Sequence, residues 1–413
     1  MEISMISDTA LNSPVLSSKE YIEMEERYGA HNYHPLDIVI DRAEGCWVYD
    51  VEGKKFLDCL SSYSAVNQGH CHPSILKTLQ EQAAKVTLTS RAFRNNQLPL
   101  LYKDLSEISG VERALPMNSG AEAVETALKM ARKWGYDVKG IPQDKAEIIV
   151  FENNFHGRTV TIVSFSTEAL YKEGFGPFTP GFKVVPYDDI EAIKKAITPN
   201  TCAVMMEPIQ AEAGILIPKE GYLKAVADLC KQNNVLLMMD EIQTGLGRTG
   251  KMFAFEHEGI KPDVIIIGKA LSGGFYPVSA VLANSAVMDV FTPGSHGSTY
   301  GGNPLACAVA RTALQVLKDE NLVERSATLG RKFVNDLKNI NSPRIVEVRG
   351  RGLLIGIELN TKARPFCEAL KEEGVLCKET HDYVIRIAPP LVVSEDDLAW
   401  AFERIKKVIE SFS

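Results

Sequence analysis

A chain of 413 residues, 45% hydrophobic and 24% charged, is long enough for a large globular domain with a smaller one attached and needs no disulfide or metal staple. Its formal net charge of −8, without any block of lysine and arginine, argues against nucleic acid as a partner and makes small-molecule chemistry the default. Eight scattered cysteines with no C-x-x-C pair fit reduced, mostly buried thiols and a cytoplasmic setting.

The N-terminal stretch MEISMISDTALNSPVLSS contains no arginine and no basic region leading into an apolar run, so neither a secretory signal nor a mitochondrial presequence is expected. No apolar run reaches the length needed to span a bilayer. GHCHP (69–73) places two histidines and a cysteine together, but neighbours in one short loop share a tetrahedral site poorly and no second cluster completes one, so no metal is expected. In NSGAE (118–122), Ser119 and Glu122 form the capping-box pattern S-x-x-E. A helix is therefore expected to start at Gly120, with free N–H groups that favour either plain solvent capping or a phosphate.

From about Gly110 to Ala283 short apolar runs alternate with helical patterns. EIIVFEN (147–153), FKVVPY (182–187), CAVMMEP (202–208), VLLMMDE (235–241) and DVIIIGK (263–269) read as strands, with helices over 188–197 and 220–234 between some of them. Continuous apolar strands with amphipathic crossovers predict an α/β domain whose mostly parallel sheet is covered by helices on both faces. Asp240 and Lys269 each close such a run, 29 residues apart, and would face one crevice at the carboxyl ends of the strands. On their own they fit a buried ion pair or a snorkelling lysine. They also fit pyridoxal phosphate, whose aldehyde forms a Schiff base with a lysine while a carboxylate keeps the ring nitrogen protonated.

GLGRTGKM (245–252) matches G-x-G-x-x-G and nearly a Walker A loop, but Met252 occupies the hydroxyl position and Gly259 and Pro262 follow before any long helix. A nucleotide site is not expected there. GSTYGGN (297–303) offers Ser298 and Thr299 in a glycine-rich turn whose amides could join a phosphate cradle. Beyond it come helical patterns at 305–319 and 321–339, strands in IVEVRG, LLIGIEL and YVIRIA, and a last helix near 394–411. The expected division is an N-terminal segment 1–60 packed on the small domain, a large domain 61–304, and a smaller α+β domain 305–413.

With these residues in this order the chain resembles the class III aminotransferases, pyridoxal-phosphate enzymes of fold type I. The stretch MMDEIQTGLGRTGKMFAFEHEGIKPDVIIIGKALSGGFYPVSAV carries the likeness almost without a gap. Within that family YGAHNYHPL (28–36), SSYSAVNQGHCHP (61–73), LTSRAF (88–93), ARKWGY (131–136) and GSHGSTYGGNP (294–304) are similar to members acting on ornithine. The resemblance implies transfer of the δ-amino group of L-ornithine to 2-oxoglutarate by a ping-pong route. 4-Aminobutyrate, N-acetylornithine and lysine are the alternative donors; an aminomutase and a nucleotide hydrolase are the rivals from other reaction classes.

Carried over by position, the resemblance makes Lys269 the lysine that bonds the cofactor and shuttles the proton, with Asp240 the partner of the ring nitrogen. Gln243 would bond the phenolic oxygen, Phe155 would stack on the ring, and His156 and Glu207 would lie beside it. Ser119, Gly120 and Ala121 would hold the phosphate. Ser298 and Thr299 would reach the phosphate of the second subunit's cofactor, so a homodimer is implied. One pocket must serve a donor with a single carboxylate and an acceptor with two. Arg158 would hold a carboxylate in each half-reaction, while Glu212 masks Arg386 until a diacid displaces it. Tyr33 would contact the α-end of the donor and Tyr63 would line the pocket. Two positions depart from the family pattern: Ala211 stands where glycine is usual, beside the switching Glu212, and His156 where some members carry tryptophan.

Overall fold

The computed structural model describes residues 16–412, so most of the N-terminal stretch read above for a targeting signal lies outside the described residues. In chain order the strands are β1 (Ile40–Glu44), β2 (Trp47–Asp50), β3 (Lys55–Asp58), β4 (Arg113–Met117), β5 (Glu147–Phe151), β6 (Phe182–Val185), β7 (Thr201–Met206) and β8 (Leu236–Asp240). They continue with β9 (Val264–Ile267), β10 (Ser279–Ala283), β11 (Ile345–Arg351), β12 (Leu354–Leu359), β13 (Val375–Leu376), β14 (Lys378–Thr380) and β15 (Val384–Ile387).

Seven of these form the central sheet, in the order β4-β10-β9-β8-β7-β5-β6. The run β9-β8-β7-β5-β6 is parallel, and β10 lies antiparallel to both of its neighbours. All five strands read from the apolar runs belong to it. β4 and β10 are additions; β10 follows β9 through residues 268–278, which hold only the short 3-10 helix Lys269–Ser272 and no crossover α-helix.

Strand alternation sorts the central side chains into two apolar layers. Ile148, Val150, Met205, Met238 and Ile266 pack with Val124, Ala127 and Leu128 of the helix Gly120–Asp137. Their neighbours Ile149, Phe151, Met206, Met239 and Ile267 join the other layer, with Val226 and Leu229 of the helix Tyr222–Gln232 and Val309 and Ala313 of the helix Pro304–Asp319. Both faces are therefore covered, and the strands' carboxyl ends are left to carry polar groups.

Two smaller sheets flank this layer. β11-β12-β15-β14 is antiparallel and lies wholly in the C-terminal part of the chain. β1-β2-β3 is an antiparallel meander whose last strand pairs in parallel with β13, tying the N-terminal segment to the C-terminal region. The helix Glu395–Ser411 starts at a Ser394/Asp397 capping box, and the helix Pro304–Asp319 at an Asn303 cap with proline in its first turn.

Candidate active site

Five strand ends of the central sheet deliver the site. β4 leads into Ser119 and the helix Gly120–Asp137, β5 into Phe155 and His156, β7 into Glu207, β8 ends in Asp240, and β9 is followed by Lys269. A cavity of about 140 Å³ collects Gly120, Ala121, Phe155, His156, Glu207, Asp240, Gln243 and Lys269. That matches the scale, roughly 150 Å³, at which an interior cavity admits one aromatic ring.

Ser119 and Glu122 make the capping box in both directions, so Ser119 Oγ accepts from Glu122 N and the first helical N–H groups at Gly120 and Ala121 face the cavity end. Glycine at 120 permits close packing, since a Cβ there would meet Ile242 Cδ1 at 3.1 Å. Lys269 adopts a left-handed backbone, φ 43°, which is strained for a residue with a Cβ and persists only where its surroundings impose it. Its Nζ donates to Gln243 Oε1 at 2.6 Å. Burial pushes the Lys269 ammonium down, with Glu212 acting against that, so the free amine is more accessible than on a solvated lysine.

Asp240 is held at both oxygens: Ile242 N donates to Oδ1 at 3.0 Å, and His156 Nδ1 lies 2.6 Å from Oδ2. Burial alone would lower the His156 pKa, but the hydrogen bond and charge of Asp240 reverse the sign and raise it. Glu207 accepts from Phe155 N at 3.0 Å, and burial pushes its carboxyl up to about 8, so it is largely protonated at neutral pH. His156 Nε2 is buried with no hydrogen-bond partner among the described residues, and Gln243 Nε2 meets no acceptor at full hydrogen-bond distance, although its side chain is near enough to Glu212 to help lower that carboxyl's pKa. A bound molecule that accepts hydrogen bonds would relieve such buried orphan groups, which otherwise cost about 1–3 kcal/mol each.

A second constellation lies on the C-terminal side. Arg386 on β15 is buried and grips Glu212 through both terminal nitrogens, at 2.6 and 3.3 Å. Burial would push the Glu212 carboxyl up, but the charges of Arg386 and Lys269 together with hydrogen bonds from Arg386 and Gln243 outweigh it and hold the pKa low. The Arg386 guanidinium sits 4.7 Å from the centre of the Tyr63 ring. Tyr63 belongs to a run of four consecutive left-handed residues, Ser61, Ser62, Tyr63 and Ser64, with φ between 46° and 74°. Ser61 Oγ donates to Ala388 O at 2.6 Å, fastening that turn to the end of β15.

The remaining expected residues lie outside the enclosed cavity. Arg158 stacks on Tyr171 at 3.5 Å and lies 5.6 Å from the Phe155 ring centre. Tyr33 is 77% exposed. Ser298 and Thr299 do not line the cavity of their own chain; Ser298 Oγ accepts from Asn118 Nδ2 at 3.0 Å. Sequence reasoning passed over Gly157, Ile209, Ile242 and Thr244, which complete the lining. Ile242 lies in the turn that follows the strand end at Asp240, where strand periodicity gives no signal.

The two motifs set aside resolve into structural contacts. Arg248 of GLGRTGKM is fully buried and donates to Leu353 O, Pro389 O and Asn67 Oδ1. His70 and His72 meet Asp58 and Glu320 at 2.8 and 2.7 Å. Seven cysteines are buried and Cys71 is exposed, all unpaired. No helix among the described residues is long and apolar enough to cross a membrane.

The class III aminotransferase family model matches residues 28–409, and the chain belongs to that family: it is a pyridoxal-phosphate-dependent aminotransferase of fold type I. Its sequence is 64% identical to the ornithine aminotransferase of Brevibacillus brevis over 388 residues, spanning 94% of this chain and 97% of that protein. Among solved structures, the ornithine aminotransferase of Toxoplasma gondii, which holds PLP at partial occupancy, superposes with a TM-score of 0.96 at 44% identity, covering 100% of this chain and 98% of that one. The acetylornithine aminotransferase of Elizabethkingia anophelis gives 0.88 at 50% identity, covering 96% and 100%. The cavity fits the cofactor on the structure's own terms: an amine, a hydrogen-bonded carboxylate, an aromatic wall, an unpartnered buried nitrogen and a helix N-terminus surround a ring-sized space.

Proposed function

We propose that this enzyme moves the δ-amino group of L-ornithine to 2-oxoglutarate, releasing glutamate 5-semialdehyde and L-glutamate in two successive half-reactions. The observation that carries this reading is the buried Arg386–Glu212 pair within electrostatic reach of Lys269. A permanently free arginine there would favour diacids in both half-reactions. An arginine covered by a carboxylate is neutral toward the donor and available to a diacid that displaces the cover.

Bound pyridoxal phosphate supplies an electron sink that lets a proton leave the carbon next to the transferred nitrogen. Lys269 would take up and return the proton at Cδ of the donor, a task suited to an amine whose pKa burial has lowered. Asp240, oriented by His156, would hold the ring nitrogen, and Glu207, its carboxyl pushed up to about 8 by burial, adds little competing charge at neutral pH. Gln243 would bond the phenolic oxygen, Phe155 would cover the ring, and Ser119, Gly120 and Ala121 would take the phosphate. Ser298 and Thr299 lie off their own chain's cavity, which supports a homodimer in which these residues of a second copy would complete that phosphate site. Arg158 binds one carboxylate in each half-reaction, Tyr33 meets the α-end of ornithine, and Tyr63 lines the pocket.

The same proposal keeps the chain's division at 1–60, 61–304 and 305–413, with the β3–β13 pairing supporting the packing of 1–60 on the C-terminal domain and the helix Pro304–Asp319 bridging to the large domain, and a cytoplasmic location, supported by the unpaired cysteines. N-acetylornithine is a second reading, favoured by the likeness to the Elizabethkingia anophelis enzyme. The deciding experiment follows the visible absorption of the holoenzyme on adding one donor alone. Bleaching by ornithine that 2-oxoglutarate reverses supports the first reading; bleaching by N-acetylornithine with ornithine inert replaces it with the second.

A further inference from the structure

Arg349 on β11, Gly356 on β12 and Arg386 on β15 form one cross-strand row: Arg349 pairs with Gly356, and Gly356 with Arg386. Directly paired residues in an antiparallel sheet share a face, so the two arginines flank a position that has no side chain. The loop that carries Glu212 fills that gap. A Cβ on Gly356 would meet Ile215 Cγ1 at 3.1 Å.

The loop is strained and closely held. Gly214 and Ile215 have φ of 106° and 59°, and a left-handed backbone is an outlier for a β-branched residue such as Ile215. Arg349 Nε donates to Gly214 O at 3.0 Å and Ile215 O at 3.1 Å, and its Nη2 donates to Gly214 O at 2.7 Å. Its Nη1 meets Glu358 at 2.5 Å and Glu347 at 2.7 Å, which fixes the guanidinium on its own sheet. From the opposite flank Thr380 Oγ1 donates to Glu212 O. Ala211 is fully buried, and its carbonyl accepts from Gly214 N and Ile215 N, so the turn is closed without glycine at that position.

We infer that Arg349 is a positioning residue that sets how firmly Glu212 covers Arg386. The inference rests on the masking role proposed above for Glu212. With both flanks of the loop fastened to the sheet that bears Arg386, Glu212 can leave only by side-chain rotation, and its return geometry is preset. Releasing Gly214 O and Ile215 O frees the loop backbone, weakens the cover, and exposes Arg386 to dicarboxylates. Arg349 touches neither substrate nor cofactor in this account, and it acts on the choice between donors.

The test compares two half-reactions of the holoenzyme, measured as single-turnover bleaching rates with L-glutamate and with L-ornithine at matched subsaturating concentrations. Arg349→Gln is expected to raise the glutamate-to-ornithine ratio about tenfold, and Arg349→Lys, which cannot hold both carbonyls and both carboxylates, by less. A merely structural role would depress both rates together and leave the ratio unchanged, and that result overturns the inference. If Arg349→Gln does not fold, Thr380→Val, which removes the other fastening at nearly constant shape, decides: a raised ratio supports the inference and an unchanged one overturns it. Glu212→Ala separates the two levels of the argument. If it too leaves the ratio unchanged, the masking role fails and takes this inference with it; if it raises the ratio while Arg349 and Thr380 variants do not, only the fastening role fails.

Discussion

The cofactor end and the gate end of this site are built in opposite ways. Around Lys269 the side chains stand on consecutive strand ends of a single sheet, and burial tunes them: Lys269 is pushed toward the free amine and Glu207 toward the protonated acid. Around Arg386 the groups come from three separate places, the Ser61–Ser64 turn, the Glu212 loop and the C-terminal sheet, and direct ion pairing decides the charge. One end holds its groups still while a proton moves. The other, under the proposed masking role, exchanges one carboxylate for another, and its separate elements are cross-linked to the sheet that bears Arg386, so that the moving part is the Glu212 side chain.

The largest effect that would break this contrast is at Lys269. Lys269→Ala is expected to lower steady-state turnover by roughly three orders of magnitude or more while the protein still takes up cofactor. Near-normal turnover in that variant would remove Lys269 from the chemistry. At the gate the expected effect is selective instead. Arg386→Leu should raise the KM for 2-oxoglutarate by roughly 30-fold or more, the scale of losing one partner of a buried charge pair. The ornithine half-reaction, measured by bleaching in the absence of oxo acid, should change several-fold at most. Equal losses in both would mean that Arg386 serves the whole pocket rather than the diacid.

The ionisation difference gives a smaller, pH-dependent effect. Glu207 has a folded-state pKa of about 8 against an ordinary value of 4.5, so between those values the native state binds more protons than the unfolded one. Stability is therefore lost as pH rises through that window, and the raised His156 pKa acts in the same direction. Glu207→Gln should flatten the dependence of the urea midpoint on pH across this range in cofactor-free protein. A slope unchanged by the substitution would mean that Glu207 is ionised in the native state at neutral pH.

The two ends also differed in what the sequence disclosed. The cofactor end follows from local signals: apolar runs end in Asp240 and Lys269, and Ser119 with Glu122 announces the helix that starts at Gly120. Those cues are one-dimensional, because a parallel sheet converts strand ends into neighbours. In the β1-β2-β3 meander, β1 went unread because IDRAE is mostly polar and exposed, and β2, β3 and β13 because runs of four or two residues are too short to carry a period. The Arg349–Gly356–Arg386 row depends on the register of three strands, which no spacing in the chain specifies. Arg386 and Glu212 were reachable only through family resemblance, since an arginine in VIRIAPP and a glutamate in QAEAG have no local pattern that joins them.

The left-handed turn at Ser61–Ser64 was equally unreadable, because SSYS contains no glycine to signal positive φ. It also offers the finest test of the contrast. A left-handed conformation costs an L-residue about 1–2 kcal/mol, and Ser62 at φ 46° has an exposed side chain. Ser62→Gly removes that strain but gives the unfolded chain more freedom, offsetting about 0.5–1 kcal/mol of the gain. The expected net is a stabilisation of about 0.5 kcal/mol by equilibrium unfolding, with the preference between glutamate and ornithine unchanged, because Ser61 still anchors the turn to Ala388. A stabilised protein with altered donor preference would show that the strain itself holds Tyr63 against Arg386. Stabilisation without that change locates the holding force in the Ser61 hydrogen bond and the Tyr63–Arg386 stack.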